Sequence, residues 1–74
     1  MRVDYDPVAD ALYFHVGGGE VASSEEISPG VIVDFDKTGN VLGIEVLSYS
    51  KRQLDLDRLI RLSHEELVAE VAAL

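Results

Sequence analysis

Hydrophobic and polar residues alternate along the first two thirds of the chain, and the spacing of the hydrophobic residues then changes. Alternation with a period of two is typical of half-buried β-strands. Proline, glycine, aspartate and asparagine, which favour tight turns, separate the alternating runs. The pattern predicts five short antiparallel strands, at residues 2–5, 11–16, 20–27, 31–35 and 41–47.

Two of the predicted strand pairs have similar sequences. VDYDPVADALYFHV at residues 3–16 aligns without a gap with VDFDKTGNVLGIEV at residues 33–46, at an offset of 30 residues. Each copy has the order strand, polar turn, strand, so we expect two similar β-hairpins. The polar segment at residues 20–27 suits a linking strand at a sheet edge. The order of the strands and the register of the second hairpin stay open, because a bulge at Gly39 would shift the pairing.

The spacing of the hydrophobic residues becomes helical near the C-terminal end. From residue 56 onwards they recur three or four positions apart, as on one face of a helix. Ser63 and Glu66 form a capping box, which is typical of a helix start. We predict helices at residues 55–61 and 64–73, with a single bent helix as the alternative. Their hydrophobic face must pack on the sheet or on a second subunit, since isolated helices this short are marginal.

These elements together predict an α+β fold, in which one or two C-terminal helices pack on a sheet of about five strands. With 74 residues the chain forms a single small domain, with the sheet region at residues 1–49 and the helical region at residues 50–74. The 47% hydrophobic content argues against disorder. Because such a core is small and the chain has no cysteine to reinforce it, we expect a homodimer.

The net charge of −8 is concentrated in the sheet region. Residues 1–50 carry nine carboxylates, against which stand Arg2 and Lys37. An acidic surface repels phosphate backbones, so we do not expect nucleic-acid binding. There is no hydrophobic run of bilayer-spanning length and no signal-peptide pattern in MRVDYD, so we expect no membrane association and a cytoplasmic location. The acidity suits a basic partner protein or a cation, although solubility alone also explains it.

The repeated aspartates are the candidate metal ligands. Asp4 and Asp6 lie in the first copy, and Asp34 and Asp36 occupy the equivalent positions in the second. If the hairpins pair side by side, these carboxylates could converge on a hard cation such as calcium or magnesium. The alternative is that Asp6 and Asp36 frame turns, because short polar side chains bond to the local backbone. No cofactor is predicted.

The sequence does not indicate an enzyme. It contains no cysteine nucleophile, and none of its serines lies in a G-x-S-x-G elbow. A hydrolase would require His15 or His64 to lie within about 3.2 Å of a serine or carboxylate in a pocket. We expect a protein-interaction module instead, and Asp34, Asp36 and Glu45 are the candidate contacts to a partner.

Three segments in order resemble a known family of small bacterial and archaeal proteins, the domain of unknown function 2283. They are YDPVADALYFHV, the link from Glu25-Glu26-Ile27 to Pro29-Gly30-Val31, and VDFDKTGNVLGIEVL. The resemblance covers residues 3–50 and implies no catalytic residue, because the family has no assigned activity. Similar members are sometimes encoded beside small proteins suspected of being toxins. The resemblance therefore implies an antitoxin-like module that neutralises a basic partner. The alternative is a protein that binds a small molecule or a divalent cation.

Overall fold

The computed structural model describes residues 1–74 as one antiparallel sheet with helices packed on one of its faces. The strands are β1 (Arg2–Asp6), β2 (Ala11–His15), β3 (Ser23–Ser28), β4 (Val31–Phe35) and β5 (Val41–Val46). A 3₁₀ turn (Tyr49–Lys51) and two helices, α1 (Leu56–Leu59) and α2 (His64–Ala72), follow the sheet. The predicted five-stranded antiparallel sheet with C-terminal helices is confirmed. None of the helices has the length and hydrophobicity required to cross a membrane.

The element boundaries depart most from the prediction in the third strand. We predicted a strand from residue 20, but β3 begins at Ser23, which lies opposite Phe35, the last residue of β4. Residues before Ser23 extend past the end of β4 and so have no strand beside them to pair with. The Ala22 amide alone still donates to the Phe35 carbonyl (2.8 Å). Both helices are shorter than predicted. The alternative of a single bent helix is wrong, since α2 starts afresh at its own N-cap residue, Ser63.

The two repeated segments lie next to each other in the sheet. The strand order is β1-β2-β5-β4-β3, and all neighbours are antiparallel. At the centre Phe14 lies opposite Ile44, which is its equivalent in the sequence repeat. Leu12 lies opposite Val46, and Val16 donates to the Leu42 carbonyl (2.9 Å), so the pairing is the same when the two copies are exchanged. The repeats are thus related by an approximate two-fold axis through the Phe14–Ile44 pair.

The second hairpin breaks this symmetry at its turn. Asp34 lies opposite Gly43, but the next residue, Phe35, lies opposite Val41, so Leu42 is an extra residue in β5. Gly39 has a positive φ of 89°, a backbone conformation that glycine adopts readily in a hairpin turn. The bulge therefore lies two residues beyond the turn, and the remaining strand keeps its hydrophobic residues on the core side.

The hydrophobic core lies between one face of the sheet and the two helices. The three inner strands β2, β5 and β4 each contribute two side chains, and both helices add others. The cluster consists of Leu12, Phe14, Val31, Val33, Ile44, Val46, Leu59, Leu67 and Val71. Two of these fully buried residues, Leu67 and Val71, belong to α2, so the hydrophobic face of α2 packs on the sheet. Ile60 and Leu74, which lie outside α2, are about half exposed (46% and 44%).

Asp10 ties the turn of the first hairpin to the 3₁₀ turn. Its carboxylate accepts hydrogen bonds from the Tyr5 hydroxyl (2.8 Å) and the Ser50 hydroxyl (2.7 Å), and its carbonyl accepts from the Tyr49 amide (3.0 Å). Asp10 and Ser48 both have left-handed backbone conformations, with φ of 52° and 55°. These hydrogen bonds lower the pKa of Asp10, those of Ser50 most. The contacts fix the route by which the chain leaves the sheet for the helices.

Candidate functional site

The candidate site is the face of the sheet that the helices leave uncovered. Alternate residues of a strand point to opposite faces, so Tyr13 and His15 lie on the side away from Leu12 and Phe14. The register of the five strands brings a band of mostly polar side chains together there. This outer face consists of Arg2, Asp4, Tyr13, His15, Ser24, Glu26, Ile32, Asp34, Gly43 and Glu45.

A hydrogen-bonded carboxylate joins three strands of the outer face. Asp34 on β4 accepts from the Tyr13 hydroxyl of β2 (2.6 Å, to Oδ2) and from the Ser24 hydroxyl of β3 (2.5 Å, to Oδ1). Tyr13 reaches Asp34 across β5, which lies between their strands. Each carboxylate oxygen thus has a donor, and neither donor is a cation. The negative charge of Asp34 is fixed in place without being neutralised.

Gly43 makes room for the Tyr13 side chain. It lies on β5 directly opposite Asp34 and His15, in the path from Tyr13 to Asp34. A Cβ atom at position 43 would lie 2.6 Å from Cε1 of the Tyr13 ring and closer still to its hydroxyl oxygen. Glycine in a strand interior is typical of a position that another group approaches closely. The absence of a side chain at Gly43 is therefore a requirement of the Tyr13–Asp34 hydrogen bond.

The environment of Tyr13 keeps its phenol protonated. Burial raises its pKa first, and the hydrogen bond to Asp34 and the charges of Asp34 and Glu45 raise it further, to about 12. The Tyr13 hydroxyl therefore remains a donor throughout the neutral and moderately basic pH range. It does not supply a phenolate nucleophile near pH 7.

A second polar group lies on the side of β1. His15 Nε2 lies 2.7 Å from Asp4 Oδ2, and Arg2 lies next to both, with Nε 3.4 Å from the same Asp4 oxygen. The His15 ring also packs edge-on against Tyr13, with 4.6 Å between the ring centroids. This group continues the polar band to the sheet edge. Asp4 and Asp34 are equivalent in the sequence repeat, yet one pairs with an imidazole and the other with two hydroxyls.

The candidate partner contacts do not all share the outer face. Asp34 and Glu45 do, on the adjacent strands β4 and β5, and Glu45 lies between Tyr13 and Ile32 in the neighbouring strands. Asp36 instead lies in the turn of the second hairpin. Its carboxylate accepts from Thr38 (amide and hydroxyl, both 2.8 Å) and from the amide of Asn40 (2.9 Å). These bonds, the one from the Thr38 hydroxyl first, lower the pKa of Asp36 to about 2.

The four repeated aspartates are used separately in this structure. Asp6 accepts from the amides of Val8 (2.9 Å) and Ala9 (3.3 Å), and so caps the first turn as Asp36 caps the second. Asp4 pairs with Arg2 and His15, while Asp34 binds Tyr13 and Ser24. There is no group of three or more His, Cys, Asp or Glu side chains placed to hold a metal ion. The geometry therefore favours the turn-framing interpretation for Asp6 and Asp36.

The two histidines do not assemble a hydrolytic site. His15 is within hydrogen-bonding distance of Asp4, but it lies on the open outer face and outside the three clefts of the molecule. His64 lines a cleft of about 520 Å³ together with Val16, Val41 and Val68, without a hydrogen bond to a serine or carboxylate. The nucleophile–base–carboxylate geometry of hydrolases is thus absent.

The central role of Tyr13 and Gly43 does not follow from the pattern of hydrophobic and polar residues. Tyr13 is half-buried in the sheet, and its hydrogen bond across β5 depends on the strand order. One sequence signal pointed there: a glycine inside the predicted strand 41–47, at the position equivalent to Tyr13.

Comparison with known proteins gives a family but no activity. Over 51 residues the chain is 33% identical to the uncharacterized protein MJ0789 of Methanocaldococcus jannaschii; the match covers 69% of this chain and 43% of that relative. The chain therefore spans less than half of the relative's length. No solved structure matches. The family model described as "Protein of unknown function (DUF2283)" matches residues 2–50, which include β1 to β5 and the whole outer face. The chain belongs to the DUF2283 family, as the order of its two hairpin motifs and their link indicated.

Proposed function

We propose that this chain is a non-enzymatic protein-interaction module that binds a basic partner protein through its outer face. The observation that carries the proposal is the Tyr13–Asp34–Ser24 network. It holds a carboxylate in one position by means of two neutral donors, so the charge remains available to a cation on a partner. A buried tyrosine–aspartate bond needed for stability alone would not have to lie on the uncovered side of the sheet.

The charge on the outer face supports a basic partner. Asp4, Glu26, Asp34 and Glu45 contribute four carboxylates, and Arg2 is the one permanently cationic side chain among them. Half-buried Tyr13 and Ile32 add apolar area near the centre of this acidic surface. Aromatic residues surrounded by polar groups are typical of protein interfaces, and complementary charge increases the rate of association.

The rigidity of the outer face supports binding more than catalysis. Six of its side chains are connected across the strands by hydrogen bonds and ion pairs, namely Arg2, Asp4, Tyr13, His15, Ser24 and Asp34. Little side-chain entropy is lost when such a preordered surface meets a partner. None of the three clefts of the molecule is lined by an outer-face residue, and a face without a cleft suits a protein surface better than a small molecule.

An antitoxin-like role is the specific form of this function that we propose. A small basic nuclease would present cationic groups that an acidic sheet face could cover.

The experiment compares two lysine substitutions that change the charge equally. Glu45→Lys reverses a charge at the centre of the outer face, whereas Glu20→Lys reverses one in the connection between β2 and β3. Tagged wild-type protein is used to isolate a stoichiometric partner from native cells, and the affinity of each variant for that purified partner is then measured by calorimetry. We expect Glu45→Lys to weaken binding by at least ~10-fold and Glu20→Lys to leave it within ~3-fold.

The two variants distinguish a local contact from a net-charge effect. Equal weakening by both would mean that overall charge attracts the partner and that the outer face is not its binding site. Unchanged binding of Glu45→Lys would reject the proposal. Far-UV circular dichroism of each variant checks that the sheet is intact, and an unfolded Glu45→Lys would be replaced by Glu45→Gln.

A further inference from the structure

The two edges of the sheet differ in how they are protected against pairing. The β3 edge has a register shift between Glu26 and Ser28, and its adjacent Glu25 and Glu26 give it like charges. Bulges and charges of one sign are the usual means by which an edge strand resists a further strand. The β1 edge pairs with β2 in unbroken register from Arg2 to Asp6 and carries charges of both signs.

We propose that β1 is a self-association edge, at which β1 of a second copy pairs antiparallel to give a continuous ten-stranded sheet. A two-fold axis between two antiparallel strands must run perpendicular to the sheet. Both helix layers then lie on the same side, and residues that face each other must belong to the same face of the sheet. This restricts the register, because Arg2, Asp4 and Asp6 alternate with Val3 and Tyr5.

Charge decides between the permitted registers. With Val3 on the axis, Arg2 lies opposite Asp4 of the partner subunit, and this attractive pair occurs twice. With Asp4 on the axis, Arg2 would lie opposite the partner's Asp6, but Asp4 would lie directly opposite the partner's Asp4, a destabilising like-charge pair that the Val3 register avoids. The structure therefore assigns the axis to Val3.

The same register covers the exposed hydrophobic residues of this edge. Met1 and Tyr5 are about half exposed (50% and 47%). Tyr5 alternates with Asp4 and so lies on the helix side of the sheet, and a strand extended by one residue would place Met1 on the same side. With Val3 on the axis, Met1 lies next to the partner's Tyr5, and each pair shields apolar surface from water. The acidic outer faces lie side by side in this dimer and do not oppose each other, so their charge does not prevent it.

Two single variants and their mixture test the charge pairing. In Arg2→Asp, positions 2 and 4 are both acidic, and in Asp4→Arg both are basic. Each variant therefore places like charges opposite each other across the axis of its own dimer. We expect the dissociation constant of each variant's dimer to be at least ~10-fold higher than that of the wild type, measured by sedimentation velocity over a concentration series. Mixed in equal amounts, the two variants oppose unlike charges, and we expect the dimer to return as a heterodimer. A wild-type monomer at every concentration, or no recovery in the mixture, would overturn the proposal.

Cysteine cross-linking tests the register independently of charge. The chain has no cysteine, so Val3→Cys introduces a single thiol, on the proposed axis. Residues opposite each other in antiparallel strands have Cβ atoms about 4.5–5.5 Å apart, near the range of disulfides. We expect oxidised Val3→Cys to give a disulfide-linked dimer rapidly. Val8→Cys, at the 96% exposed turn residue, is the control for random collision. Equal cross-linking rates for the two variants would refute the register.

Discussion

Gly43→Ala tests the interpretation that Gly43 exists to let Tyr13 cross β5. The added methyl group would overlap the Tyr13 ring and hydroxyl, so the phenol must rotate away and release Asp34. The backbone at position 43 does not have the positive φ that alanine would resist, because the glycines with positive φ are Gly19, Gly30 and Gly39. The loss of stability should therefore come from Tyr13.

The magnitude follows from three contributions. Loss of a hydrogen bond to a charged acceptor costs about 1.5–3 kcal/mol. Displacing the ring from a half-buried position adds about 1 kcal/mol of lost packing. Alanine in place of glycine restricts the unfolded chain and returns about 0.5–1 kcal/mol. We expect Gly43→Ala to lower the free energy of unfolding by roughly 2–3 kcal/mol.

A double-mutant cycle separates the contribution of Tyr13 from everything else at this position. In a Tyr13→Ala background there is no ring to displace, so Gly43→Ala should have no cost or should stabilise the protein by about 0.5–1 kcal/mol. The four proteins are unfolded in urea at one fixed protein concentration and followed by circular dichroism. A change of sign between the two backgrounds is the expected result. An equal loss of stability in both would refute the reasoning, since it would show that alanine at 43 is harmful for a reason unrelated to Tyr13.

Two further predictions concern the turn of the second hairpin and the start of α2. The pKa of Asp36 is lowered from 3.8 to about 2 in the folded state, so its contribution to stability is complete above about pH 4 and is lost as the pH falls through about 2. Asp36→Ala should therefore be less stable than the wild type at pH 7, and urea midpoints measured down to pH 3 should show this difference shrinking; a difference independent of pH would contradict it. Ser63→Ala removes the side chain that accepts from the Glu66 amide and should lower the free energy of unfolding by about 1 kcal/mol, or the melting temperature by about 4–8 °C. Ser28→Ala is its matched control, since the buried Ser28 hydroxyl has no hydrogen-bond partner in the protein and its loss should cost little; similar losses in the two variants would argue against the capping role.

The elements that local sequence specifies were the ones that could be predicted. The capping box at Ser63 and Glu66 determines where α2 begins without help from the rest of the chain. The segment at residues 31–35, which begins with three β-branched residues, was predicted as a strand with the observed boundaries of β4. Strand 20–27 was predicted too long because its N-terminal limit depends on where β4 ends. The start of β3 is thus set by its pairing with another strand and not by its own sequence.

The outer face could be predicted only in part for the same reason. The carboxylates of Asp34 and Glu45 were recognised as candidates from the sequence repeat, but their neighbours depend on which strands lie side by side. Tyr13 can reach Asp34 over Gly43 only because β2 lies next to β5. The sequence repeat does not predict this strand order. Asp36 was grouped with them because it follows the same repeat, although its local hydrogen bonds place it in a turn.

The meeting of the two hairpins at Phe14 and Ile44 has a consequence for how the chain folds. Each hairpin joins residues that are close in sequence, so each can form on the microsecond timescale of isolated hairpins. Pairing of β2 with β5 joins Leu12 to Val46 and must close the whole segment between them. We therefore expect the docking of the preformed hairpins to limit the folding rate. Substitutions at the Phe14–Ile44 pair should then slow folding, whereas those within α2 should mainly accelerate unfolding.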